Sequence, residues 1–312
     1  MMLNKRIYGV IGIKSVMSNW NADFSGMPKS ISTGEVFGSD KALKYPMKRM
    51  WDEQDEKVLY IKSFKTEVDK NGKKVRPRSL KERYQLIFDV EDLKKVNDST
   101  IILKNLFQAI DVKNFGATFA EEKNNISITG AVQITQGFNK YKGHNVEEQQ
   151  ILSPFRDGTK DDAEQSTLGT KIVSNEAHYF YGFAINPTVY KDFVEMDVTD
   201  GYTENDYAKF KQAALISATA FNTNAKVGCE NEFGLFVETK SDFYLPDLAQ
   251  YINFEKNDED EKGIIQLKIA EMLNQFGDCI TNVEIYYNPY TTLLEGEMNK
   301  AKIFNIFTKK EV

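Results

Sequence analysis

Residues 5–16, KRIYGVIGIKSV, form a β-rich and nearly continuous apolar run. A run of this kind suits a strand buried on both faces, so the fold must build a sheet on either side of it. Two later segments alternate instead. In 126–135, Ile126, Ile128, Val132 and Ile134 face one way, and Ser127, Thr129, Gln133 and Thr135 the other. In 177–185, Ala177, Tyr179, Tyr181, Phe183 and Ile185 share a face. Both patterns predict half-buried strands. A fourth strand is expected at 231–239, carrying Phe233, Leu235 and Val237.

Helical spacing fills the gaps. Ser79-x-x-Glu82 is a capping box that opens a helix. A second helix has its stripe at Ile102, Leu103, Leu106, Phe107 and Ile110, and another runs over 205–222 with Tyr207, Phe210, Ala214 and Phe221. The order is therefore β (5–16), α (79–110), β (126–135), β (176–186), α (205–222), β (231–239). That βαββαβ series is the ferredoxin-like order shared by RNA-recognition modules, and the fold class it predicts is α+β.

Two long insertions interrupt the series. The first, 17–78, holds a polar Gly/Ser/Asn-rich loop and then Ser39 and Asp40 as caps before KALKYPMKRMW, where Pro46 is expected to kink or stop the helix. It ends in a hairpin, 58–68 and 74–78 flanking Asn71-Gly72. The second, 137–174, separates the middle strands. Residues 241–312 carry no recognisable motif.

The net charge of −6 hides an asymmetry. Residues 1–90 carry 18 basic and 11 acidic residues, and residues 91–312 carry 22 and 35. The basic excess concentrates at 57–83, with 10 basic and 3 acidic residues. Such a split suits one face for an anionic partner, although a solvated hairpin would show the same charges.

Most enzyme classes find little support. With 2 Cys and 2 His, the chain has neither a disulfide framework nor a natural zinc site. His178 reads as a packed, hydrogen-bonded residue in a strand. Gly34-x-x-x-Gly38-Ser-Asp-Lys41 misses the spacing of a phosphate loop, and Asp40 would repel phosphate. No metal or cofactor is expected. No apolar run approaches the ~18 residues of a membrane span, and the N-terminal MMLNKRIYGVIGIK lacks a signal peptide's apolar region, so a cytoplasmic protein without a membrane partner is expected. Lys41, Lys44 and Lys48 lie at helical spacing after Ser39, a phosphate-binding pattern for a helix start.

The segment NWNADFSGMPKS (19–30), running into GSDKALKY (38–45), resembles the start of the CRISPR type I Cascade backbone subunit, the seventh Cas protein family, in its Csh-type variant of subtype I-B. FGATFA (115–120) before ISITGAVQI (126–134), and STLGT (166–170) before NEAHYFYGFAINP (175–187), continue the likeness. It spans about residues 5–240.

The resemblance implies a non-catalytic guide-RNA-binding subunit with an RNA-recognition-like palm. Copies polymerise along the crRNA, alongside other Cascade subunits, and hold the guide for pairing with a target DNA strand. One domain over 1–312 is implied. Its palm core lies at about 5–16, 79–135 and 175–240, with an insertion carrying the basic hairpin at 17–78, a thumb at 137–174 and a C-terminal elaboration at 241–312. The RNA-binding residues expected are Asn19, Asn21, Ser39, Lys41, Lys44, Lys48, Arg49, Gln136, Asn139, Ser166, Thr167 and Gly169. Ile151, Leu152, Phe155 and Leu168 are the candidate thumb wedges. Two alternatives stand beside this reading. One is an RNA endonuclease of type III-like character using Asp23, and the other is a general single-stranded RNA-binding protein.

Overall fold

The apolar run becomes the middle of the main sheet in the computed structural model, which describes residues 1–70, 72–152, 168–257 and 262–312. Strand β1 (Arg6–Ser18) leads through a loop to β2 (Phe37–Gly38) and helix α1 (Asp40–Glu53). A two-stranded ribbon, β3 (Phe64–Asp69) and β4 (Gly72–Pro77), precedes α2 (Leu80–Ile87), α3 (Ser99–Gln108) and α4 (Ile110–Phe115). Short strands β5 (Gly116–Phe119), β6 (Ile126–Thr129), β7 (Val132–Ile134) and β8 (Gly137–Asn139) follow, then β9 (Val146–Leu152) and the long β10 (Leu168–Ile185). After α5 (Lys191–Glu195), α6 (Glu204–Ala220) and β11 (Cys229–Thr239) complete the core. The C-terminal part adds β12 (Ile252–Lys256), β13 (Gly263–Leu267), α7 (Ala270–Gln275), β14 (Ile280–Tyr287), β15 (Thr292–Glu295) and β16 (Ala301–Asn305).

β1 pairs antiparallel with β10 on one side and β11 on the other, and β7 and β8 pair with the far edge of β10. Written by core position, that is strand four, one, three, two, the arrangement a ferredoxin-like βαββαβ chain gives. The α+β expectation therefore holds. β14 and β16 widen the sheet beyond β11.

The sheet has two cores. Ile7, Ile11 and Ile13 of β1, with Tyr179, Tyr181 and Phe183 of β10, pack against Leu43, Met47 and Trp51 of α1 and Phe210 and Ala214 of α6. On the reverse face Tyr8, Val10, Phe180, Phe233 and Leu235 pack against Leu248, Ile252, Phe254, Ile265 and Leu267 of the C-terminal part. Residues 241–312 thus cover the face that RNA-recognition sheets leave open for bases. Phe180 is 1% exposed and Tyr179 1%, so neither is free to stack on RNA.

Three sequence expectations are corrected, and a fourth, that Pro46 kinks or stops its helix, is narrowed. The 126–135 alternation is not one strand: β6 pairs with β5 in a separate ribbon, and only 132–134 joins β10. Period-two spacing marks a strand's faces but not its neighbour. Residues 58–63 are not strand. Val58, Leu59 and Ile61 are buried, and the N–H groups of Leu59 and Tyr60 each donate to the Asp111 carboxylate at 2.8 Å. Helix α1 does not stop at Pro46, which is buried beside Leu43 and Met47 on its core face. There, packing outweighs the lost N–H, which costs ~3 kcal/mol in an unsupported helix. Finally, the strand expected at 176–186 starts much earlier, because β10 runs on past the sheet to pair with β9.

Candidate nucleic-acid interface

The loop after β1, the start of α1 and the base of the β9–β10 ribbon are hydrogen-bonded into one surface. Asn19 is 4% exposed, and its amide Nδ2 donates to the Gly26 carbonyl at 2.9 Å and the Ile172 carbonyl at 3.3 Å, tying the loop to β10. The Asn21 Oδ1 accepts from the Ser39 N–H at 2.8 Å. Ser39 caps α1 by accepting from the Ala42 N–H, and Gln136 Oε1 accepts from the Asp40 N–H at 3.3 Å. Three of the expected residues, Asn21, Ser39 and Gln136, therefore meet at the first turn of α1. They occupy its N–H groups themselves, so the helix start is a capped junction and not an open anion cradle.

Close packing holds the junction in place. Gly38 and Gly137 face each other across β2 and β8, over the Tyr181 side chain. A Cβ on Gly38 would lie 1.8 Å from the Tyr181 hydroxyl, and one on Gly137 2.4 Å from its ring. The Trp20 Nε1–H donates to the same hydroxyl at 2.5 Å. From the other side Lys226 donates to the carbonyls of Asn19 and Trp20. Burial pushes the Lys226 ammonium pKa down.

The α1 lysines divide. Lys41 is exposed. Lys44 is half-buried, pairs with Asp40 at 2.9 Å and sits over Phe115. Burial opposes ionisation of Asp40, but the Lys44 contact outweighs it and holds the Asp40 pKa low. Lys48 turns inward to the buried Asp111 at 3.6 Å and over the Tyr60 ring, and burial lowers its pKa against the pull of Asp111. Arg49 pairs with Asp52 and Glu53 along its own helix. Asn139 braces the β8 turn, accepting from the N–H groups of Tyr141 and His178.

The ribbon carries the rest. Ile151 is 49% and Leu152 65% exposed, and Gly169 faces Ile151 across the strands. Leu168 begins β10 opposite Leu152. Phe155, Ser166 and Thr167 lie outside the described residues. At the ribbon's base, a groove of about 680 Å³ is lined by Lys140, Lys142, His144, Asn253 and Gln266 among others. Burial lowers the pKa of His144. Sequence reasoning did not single out this groove, whose walls come from distant segments. It also passed over Phe24, a fully exposed aromatic in the 19–39 loop. An aromatic inside NADFSG was a legible signal.

Asp23 is held in its own turn through one carboxylate oxygen. Its Oδ1 accepts from the Ser25 N–H at 2.8 Å, the Ser25 hydroxyl at 2.7 Å and the Met27 N–H at 3.1 Å. The Ser25 hydroxyl bond is the main reason its carboxyl titrates below the usual range. Among the described residues no three His, Cys, Asp or Glu side chains group to hold a metal ion. His178 is the packed residue expected: it is 2% exposed, bonded to Glu232 and Glu176, and stacked on Phe254 at 3.6 Å. No helix among the described residues is long and apolar enough to cross a membrane.

A ferredoxin-like sheet covered on both faces, with a two-stranded ribbon continuing out from its third core strand, defines an elaborated α+β class. The family model for CRISPR-associated protein Cas7 matches residues 5–272, and the chain belongs to that family. In fold it is similar to a chain of the solved "CRISPR RNA-guided surveillance complex, pre-nicking", at 14% identity and a TM-score of 0.53, with 96% of each chain covered. A chain of a "CRISPR RNA-guided surveillance complex" is 12% identical, with a TM-score of 0.46 and 89% of this chain and 88% of that one covered. No curated protein matches.

Proposed function

We propose that this chain is the guide-RNA-binding backbone subunit of a type I-B effector of the Csh-type variant. Copies line up along a crRNA with other effector subunits, hold the guide for a target DNA strand, and cut neither. The observation that carries this reading is the bonded junction of the 19–39 loop, α1 and the ribbon base, in a member of the Cas7 family. The β9–β10 ribbon, within 137–174, acts as the thumb, and Ile151 and Leu152 are its exposed wedges. With both sheet faces packed, RNA runs along the junction and the ribbon. Lys41, Lys44 and the groove lysines meet phosphates there, and Phe24 offers a stacking surface. The three bonds that the Asp23 Oδ1 accepts from its own turn support a turn-forming role over a nucleolytic one.

The α1 lysines supply the test. Replacing Lys41 and Lys44 by alanine should weaken RNA binding and lower its salt slope by roughly 1.4, since each phosphate contact to a single strand contributes about 0.7. Lys48→Ala should leave the slope unchanged and lower stability, because it removes the cation beside the buried Asp111 and leaves that carboxylate only the N–H groups of Leu59 and Tyr60. Titrations at several salt concentrations measure both. An unchanged slope in the double variant would remove α1 from the phosphate path.

A further inference from the structure

The β3–β4 ribbon is amphipathic the wrong way round for a solvated hairpin. Its register places Phe64 with Pro77, Thr66 with Val75, and Val68 with Lys73 on one face, and Lys65 with Arg76 and Glu67 with Lys74 on the other. At the ribbon's base the charged face is the inner one, where Lys65 and Arg76 both pair with Glu82 of α2 at 2.5 and 2.8 Å, while Glu67 and Lys74 farther out are exposed. The apolar face is the outer one, with Phe64 54%, Val68 72% and Val75 70% exposed. Lys70 and Lys73 stand exposed at its tip. A face of this kind gains by being covered.

A surface of complementary character exists elsewhere on the same chain. Residues 191–206 hold six acidic residues and one lysine. Within them Met196 is 60% and Val194 36% exposed, and Asp192 and Asp200 are exposed. We propose that the outer face of the β3–β4 ribbon docks on this acidic α5 segment of a second copy of the chain. The two surfaces differ, so a head-to-tail contact leaves a free ribbon on one copy and a free α5 segment on the other, and along an RNA it propagates into a string. Opposite charges at the rim set the register, and Val68, Val75, Val194 and Met196 are buried between them. A phosphate backbone would use the lysines but would leave the apolar face uncovered. The inference rests on the reading of the chain as a subunit that lines up along RNA, and it names the surfaces that join neighbours.

The test is a charge reversal in both directions, with the intact protein on a long RNA. K70E with K73E, and separately D192K with D200K, should each raise the protein concentration needed for strings about tenfold, as read by sedimentation. The fourfold variant should restore wild-type assembly. V68S with V75S, which alters no charge, should weaken the same step. Binding to an RNA short enough for one subunit should not change in any of them. No rescue in the fourfold variant would overturn the proposal. So would a loss of short-RNA binding equal to the loss of assembly, which would make RNA the ribbon's occupant. Wild-type strings that all four variants form equally well would overturn this contact alone. Wild-type protein that forms no strings on RNA would overturn the proposed function with it.

Discussion

Replacing His178 with alanine should destabilise the protein by about 3–5 kcal/mol, the cost of leaving a buried charge without its partner. Glu232 is 2% exposed, and both its oxygens lie within 2.9 Å of His178 Nδ1. On the other side Nε2 meets Glu176 at 3.1 Å, and Glu176 also pairs with Lys256 of β12. The imidazole stacks on Phe254 of the same strand. One side chain of β10 therefore fastens the C-terminal cover to the sheet. Burial pulls the His178 pKa down, but Glu232 and Glu176 outweigh it and raise the pKa above its ordinary 6.5. The sign follows from linkage: the stabilisation is complete below 6.5 and is lost as pH rises through the folded-state value. Glu176 acts at the other end. Against burial, His178 and Lys256 hold its pKa at about 2, so its contribution is complete above about 4.5 and fades as pH falls toward 2. Urea unfolding of wild type and His178→Ala across pH 2–9 measures both limits. A gap below about 1 kcal/mol, or one that stays constant through alkaline pH, would contradict the assigned charge state.

Removing the β9–β10 ribbon should abolish ordered assembly on RNA while leaving the sheet folded. Val146 and Ser174 are already paired across its base, so residues 147–173 can give way to a two-residue Asn-Gly turn between them. The neighbouring bonds survive, since the Asn175 N–H donates to the Asn145 carbonyl and His144 bonds Ser174. Among the described residues the hydrogen bond lost to the loop is Asn19 to Ile172, and Asn19 keeps its bond to Gly26, while the buried Val173 goes with the ribbon. The shortened protein should melt cooperatively and bind RNA, but leave no periodic protection against nuclease. A normal periodic footprint would show that the ribbon is not the thumb.

The core was legible because its signals are local. The continuous run at 5–16 suits a central strand and is one, and the capping box at Ser79 forms as read, with Ser79 and Glu82 each bonding the other's N–H. The candidate interface was legible in part. Asn21, Ser39 and Gln136 do converge, but on one another. Spacing put Lys44 and Lys48 on one helix face without saying which way the face turned, and the partner that turns Lys48 inward, Asp111, lies on α4. The C-terminal cover was illegible because most of its strands are short and they belong to two different sheets, β12, β13 and β15 in one and β14 and β16 in the other. No periodicity in 241–312 announces which face it will bury. The inverted ribbon is the opposite case: its alternation was plain, but the water side could be assigned only once Glu82 was seen beneath it.

The central claim is that this chain holds a guide RNA in repeating register and leaves a paired strand uncut. The most direct measurement is one gel. The protein is assembled on a labelled guide, given a labelled complementary strand with Mg²⁺ or Mn²⁺, and probed with nuclease. The account predicts regularly spaced protection of the guide and an intact, bound complement. An unprotected guide, or a complement cut at regular intervals before any nuclease is added, would contradict it.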